Sequence, residues 1–152
     1  MEETNGAVAP PARLRALVSW QTNKVSTLAA RLFARGMPLS ARADYSVLAA
    51  LDDCGPLSQA DIGRRVGLDR NDVNGILNRL EAAARVQREV DPANRRRNIV
   101  AVTDAGRQYL AQVQHHAELV QDELLGALDA AERRQLQALL AKLLDGHAPQ
   151  PA

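Results

Sequence analysis

The sequence predicts a mainly α chain with one small β-hairpin. Three observations predict it. Leu- and Ala-rich stretches recur at helical spacing, and aromatics are only 3% of the residues, so the core must be aliphatic. Side chains able to cap a helix stand ahead of most of those stretches. Two alternating runs late in the chain enclose a turn. With 152 residues, 46% hydrophobic and 24% charged, the chain has one domain's worth of length and enough apolar material to exclude a disordered polymer.

The first helix is expected over residues 11–35, with Pro11 in its opening turn and Gly36 and Pro38 closing it. Leu14, Leu17, Val18, Val25, Leu28 and Leu32 form an apolar stripe on it, and Arg13, Trp20, Lys24 and Arg31 form a second stripe alongside. Ser40 is the expected cap of the next helix, which runs to about Asp53, buries Tyr45, Val47, Leu48 and Leu51, and breaks at Gly55-Pro56. Ser58, with Asp61 three residues on, opens a short third helix that stops at Gly67. Asp69, with Asp72 three residues on, opens a fourth with Val73, Ile76, Leu77 and Leu80 on one face.

Residues 85–90 and 97–102 alternate in polarity around residues 91–96, which reads as a hairpin with a basic tip. Thr103 starts a helix that reaches about Leu125. Asp129, with Glu132 at the capping-box position, starts the last, which ends at Asp145 and Gly146.

The order short helix, tight turn at Gly67-Leu68, second helix and basic hairpin is that of a winged helix-turn-helix. Residues 61–97 carry nine arginines against six acids, although the whole chain is only +1. Such a basic middle is a solvated surface or a polyanion-binding one. On the fourth helix Asn71, Asn74, Gly75 and Asn78 fall opposite the apolar face, with Arg70 and Arg79 on the flanks. Asn can pair bidentately with adenine in the major groove, Arg suits phosphates, and an outward Gly permits close approach. The bland alternative is a plain polar helix face, which the neighbouring basic hairpin makes the poorer account.

The stretch from Leu57 to Gly106 resembles the MarR (multiple-antibiotic-resistance regulator) family of bacterial transcription factors. The matches are Leu57-Ser58-Gln59, Leu68-Asp69-Arg70 at the turn, Asp91-Pro92 with Arg95-Arg96 at the wing, and Val102-Thr103 with Gly106 at the exit. Helix order extends the resemblance over about residues 14–144. Two positions depart from it. Asn94 stands where the family usually has Asp and cannot form an ion pair with Arg96, which bears on the wing's rigidity. Ala84 stands where Gly is common.

The resemblance implies a homodimer joined by the terminal helices, and Leu136, Leu139, Leu140, Leu143 and Leu144 fit that role. The expected layout is a flexible tail at 1–12, one domain at 13–146 and a flexible tail at 147–152. Within the domain, 40–102 is the winged helix-turn-helix, and 13–36 and 103–146 are dimerisation helices.

The expected function is a cytoplasmic, sequence-specific DNA-binding regulator. It would act as a repressor, the family's commoner habit, on a palindromic operator in double-stranded DNA. The candidate DNA contacts are Ser58, Arg70, Asn71, Asn74, Asn78, Arg79, Arg95, Arg96 and Arg97. Family members often bind small aromatic acids, so Arg13, Trp20, Lys24, Arg31 and Tyr45 are candidate effector residues, with interface packing as the alternative for each.

The competing function is a winged-helix protein-interaction module without DNA binding. No enzyme, cofactor or metal is expected. Cys54 is the lone cysteine and has acidic neighbours that blunt a thiol's reactivity, while adjacent His115 and His116 diverge on a helix and read as surface residues. No membrane association is expected either: no apolar run approaches the ~18 residues of a membrane span, and the N-terminus lacks a signal peptide's basic-then-apolar layout.

Overall fold

Local capping chemistry sets most helix starts. The computed structural model describes residues 9–148. Its elements are α1 (Ala12–Arg15), α2 (Val18–Phe33), α3 (Ser40–Cys54), β1 (Leu57–Ser58), α4 (Gln59–Val66), α5 (Arg70–Ala82), β2 (Val86–Asp91), β3 (Asn94–Val102), α6 (Asp104–Leu124) and α7 (Ala130–Gly146). Of the expected tails, residues 1–8 and 149–152 lie outside the described residues.

Ser58, Asp69 and Thr103 each accept a hydrogen bond from the backbone N–H three residues on, at Asp61, Asp72 and Gly106. Asp129 and Glu132 complete a reciprocal capping box at α7. Ser40 is not a cap. The helix winds in earlier, because Ala41 and Arg42 already donate to the Pro38 and Leu39 carbonyls, which leaves Ser40 inside the first turn.

The first helix is also two pieces rather than one. Leu17 is extended between α1 and α2, and the Gln21 side chain donates to the Arg15 carbonyl across the break at 2.8 Å.

The sheet has three antiparallel strands in the order β1-β3-β2. β1 pairs Leu57 with Val100 and Ser58 with Ile99, and two residues are too few for alternation to show in sequence. β3 begins at Asn94, so Arg95 and Arg96 lie on a strand and the tip shrinks to Pro92 and Ala93.

The core gathers Val47, Leu48 and Leu51 from α3, Ile62 from α4 and Val73, Ile76, Leu77 and Leu80 from α5, with Val86, Val100 and Leu110 beside them. Tyr45, expected there, is only half-buried against it. Asp44 sits inside at 2% exposure. It pairs with Arg79 and accepts a hydrogen bond from the Tyr109 hydroxyl at 3.1 Å. Burial, and then the charge of Asp44, pushes the Tyr109 phenol up from its ordinary pKa.

At the end of α5 the chain reverses into the wing. Arg85 N–H bonds to the Leu80 carbonyl and Ala84 N–H to the Glu81 carbonyl, which is a Schellman closure. It places Ala84 in the left-handed region at φ 55. The Arg85 carbonyl then presses on α6 so closely that a Cβ at Gly106 would lie 2.0 Å from its oxygen.

The terminal helices are covered less well. No residue of α7 is buried, and Leu139, Leu140, Leu143 and Leu144 are exposed, as are Leu14, Leu17, Val18, Val25 and Leu28 on α1, α2 and the link between them. Leu32, at the other end of the same stripe, is buried.

Ala84→Gly should stabilise the fold. A left-handed L-residue costs roughly 1–2 kcal/mol, and glycine's extra unfolded-state entropy returns roughly 0.5–1 of it. The expected net gain is about 0.5–1 kcal/mol in urea unfolding, whereas Gly106→Ala should lower the midpoint sharply.

Candidate nucleic-acid interface

With its apolar face sealed in the core, α5 presents Arg70, Asn71, Asn74, Gly75 and Asn78 to solvent. A Cβ at Gly75 would meet nothing within 4 Å, so another molecule can approach the helix backbone closely here. A groove of about 920 Å³ runs from α4 and the turn to β3, and its walls include Gln59, Arg64, Arg70, Arg96 and Asn98. Arg95 and Arg96 are exposed on β3 and are in no ion pair among the described residues.

The other expected contacts are engaged within the protein. Arg79 turns its guanidinium to buried Asp44. Ser58 is 5% exposed and lies in the wall of the groove; its hydroxyl accepts from the Asp61 amide and donates to the Asp61 carboxylate at 2.5 Å. The Ser58 hydroxyl is thus engaged in the cap of α4.

Arg97 donates through Nε to Asp91 Oδ2 at 3.0 Å. Asp91 also accepts from the Ala93 amide at 2.9 Å, and that bond, with the Arg97 guanidinium, holds its carboxyl below the usual range. The ion pair that Asn94 cannot make is thus made by Asp91 and Arg97, and Asn94 instead accepts from the Arg96 amide at 3.1 Å.

Sequence reasoning missed Arg88. Its guanidinium meets Glu81, Asn78 and Asn74 behind the exposed face of α5. The alternation of residues 85–90 held a signal, since it puts Arg88 on the same side as Val86.

A second concavity, about 320 Å³, lies among α2, α3 and α6, with Phe33, Arg42, Tyr45, Ser46, Val113 and Gln121 among its walls. Of the five expected effector residues only Tyr45 lines it. Arg13, Lys24 and Arg31 are exposed and Trp20 is half-buried, with the Lys24 ammonium 5.4 Å from the Trp20 ring centre. Arg42 was missed, although its spacing from Tyr45 and Ser46 puts all three on one helix face. His116 is not a simple surface residue. Its Nε2 lies 2.8 Å from the Phe33 carbonyl, and its ring meets Phe33 edge-on at 4.8 Å.

Residues 35–97 match the model of the MarR family. Over these residues the chain is similar to the MarR family. It is 36% identical over 101 residues to the HTH-type transcriptional repressor NicR of Pseudomonas putida, which covers 66% of this chain and 64% of NicR. It is 32% identical over 87 residues to the HTH-type transcriptional regulator YdgJ of Bacillus subtilis, covering 57% of this chain and 53% of YdgJ. It therefore matches these curated relatives over less than two thirds of their length.

Among solved structures it is similar to BpsR of Bordetella bronchiseptica, whose DNA binding is regulated by 6-hydroxynicotinic acid. The TM-score is 0.80 and the identity 29%, over 90% of this chain and 99% of BpsR. The glycine common in the MarR family at the Ala84 position is explained by the left-handed backbone found there.

Acid should loosen the wing tip. The Asp91 carboxyl is lowered in the folded state, so its contribution is complete above the ordinary carboxylate pKa and is lost as pH falls through the lowered value. Hydrogen exchange at the Ala93 amide should accelerate in that window. In Asp91→Ala it should be fast at every pH.

Proposed function

We propose that this chain is a sequence-specific DNA-binding transcriptional regulator, acting as a homodimer on a palindromic operator and repressing transcription. One observation carries the reading. Arg70, which opens the asparagine-bearing helix α5, and the unpaired Arg96 of the wing border the same groove, while Arg64, Arg79, Arg88 and Arg97 pair with acids of the module. A helix with small amides and an outward glycine suits a major groove. Strand arginines suit phosphates or an adjacent minor groove. NicR's description as a repressor supports the direction of control.

The exposed leucines of α7, with the apolar stripe of α1 and α2, support a second copy as their cover. Isologous pairing would present two α5 helices related by a two-fold axis, hence the palindrome. An aromatic acid is the effector class we favour. The cavity walled by Phe33, Arg42 and Tyr45 offers a cation beside aromatic rings, and BpsR responds to such an acid.

Asn74→Ala should cost roughly 1–3 kcal/mol on the cognate site and little on scrambled duplex. Arg96→Ala should weaken both equally and reduce the salt slope by about one. One titration series in varied salt reads both effects. Equal loss on both duplexes for Asn74→Ala would remove base reading from α5.

Deleting the chain from Asp129 onward should abolish dimers in sedimentation and binding to the full palindrome. A truncated monomer that still protects both half-sites would overturn the dimer. An aromatic acid that releases DNA should lose its effect in Arg42→Ala and keep it in Lys24→Ala. The reverse pattern would move the ligand to the outer row on α2.

A further inference from the structure

We propose that Arg88 sets the base preference of α5 by fixing which end of the Asn78 amide faces outward. The inference rests on the DNA-binding reading above. Arg88 pairs with Val100 across the sheet and lies two residues beyond buried Val86, so its side chain leans onto α5. It is held there. Nη1 pairs with the Glu81 carboxylate, and the side chain is 23% exposed. Nη2 then donates to Asn78 Oδ1 at 2.9 Å, with Asn74 Oδ1 at 3.5 Å one turn earlier.

A guanidinium has donors and no acceptor. The amide group facing it must therefore be the oxygen, whichever way an amide is drawn. The Asn78 oxygen is turned to β2, and its NH2 is the end left for a partner.

The consequence is chemical. A free asparagine reads adenine by donating to N7 while accepting from N6. An asparagine whose oxygen is turned to β2 presents only its NH2 outward, and so meets a base as a donor. It selects the edge richest in acceptors, which in the major groove is guanine with N7 and O6 side by side. The adenine expected from residue type alone is replaced by guanine because of a residue on the wing that touches no base.

The test is selection from a random duplex library, with the full-length protein and three variants. In the wild type one enriched position should prefer guanine, and Asn78→Ala should erase the preference at that position. Arg88→Met keeps the apolar stem over α5 but frees the amide. It should shift the same position from guanine toward adenine by about tenfold, the scale of one bidentate contact. Glu81→Gln loosens the guanidinium and should move the preference in the same direction by less. Thermal melts accompany each variant, and Glu81→Gln, on an exposed residue, carries the test if Arg88→Met does not fold. The salt slope should not change in Arg88→Met, because its charge faces Glu81 and not a phosphate.

An unchanged preference in folded Arg88→Met, or in Glu81→Gln where that variant carries the test, overturns the proposal. So does a slope reduced by about one with preference intact, which would make Arg88 a phosphate contact. If Asn78→Ala erases no position while others remain enriched, this inference fails and the DNA-binding reading stands. If the wild type enriches nothing, both fail.

Discussion

The exposed face of α5 depends on a carboxylate that solvent barely reaches. Asp44, on α3, is 2% exposed, and an isolated charge at that depth would cost several kcal/mol. It is tolerated because Arg79 reaches it from α5 and Tyr109 from α6. Three helices thus converge on one polar node inside an aliphatic core. Apolar packing of Val73, Ile76, Leu77 and Leu80 holds α5 against the core but tolerates sliding. A directional ion pair does not. Turning α5 about its axis would strip Asp44 of its cation, so the node selects the rotation at which the asparagines point outward.

The same logic sorts the arginines. Among the nine in residues 61–97, Arg64, Arg79, Arg88 and Arg97 face acids at Asp61, Asp44, Glu81 and Asp91. Arg85 lies 3.4 Å over the Tyr109 ring. Arg65, Arg70, Arg95 and Arg96 are in no ion pair among the described residues. Charge counting treats all nine alike. The structure separates those paired within the module from those left with an open field, and Arg70 and Arg96 of the latter border the groove proposed for DNA.

How much of this was legible in the sequence follows the range of each interaction. A cap joins residues three apart, so Ser58, Asp69, Thr103 and Asp129 could be read directly. Ser40 failed because backbone carbonyls before it had already taken its partners. The apolar face of α5 follows from period alone. The wing's register does not, since alternation shows which residues share a face but not where pairing stops, and so Arg95 and Arg96 were placed at the tip. The inward turn of Arg79 rests on a residue 35 positions away, beyond any local pattern. The cavity at Arg42 needs α2, α3 and α6 together. Ala84 became interpretable only when its positive φ showed why a glycine is favoured there.

The terminal helices complete the physical argument. A helix the length of α7 is marginal in water unless an amphipathic face is buried, yet none of its residues is buried within the chain. Its ties to the preceding segment are polar: the Arg133 guanidinium to Asp122 at 2.9 Å and to the Leu128 carbonyl at 3.2 Å. These fix its departure angle but supply no hydrophobic stabilisation. The leucines of α7 and the stripe on α1 and α2 are therefore surface awaiting cover. A second copy offers a matching apolar surface without any further partner. The node at Asp44 then matters twice over, since it links α5 to α6, which runs toward that uncovered surface. In the dimer proposed, the spacing between two recognition helices is set by the packing of terminal leucines and conveyed through α6, while the orientation of each is set by one buried carboxylate.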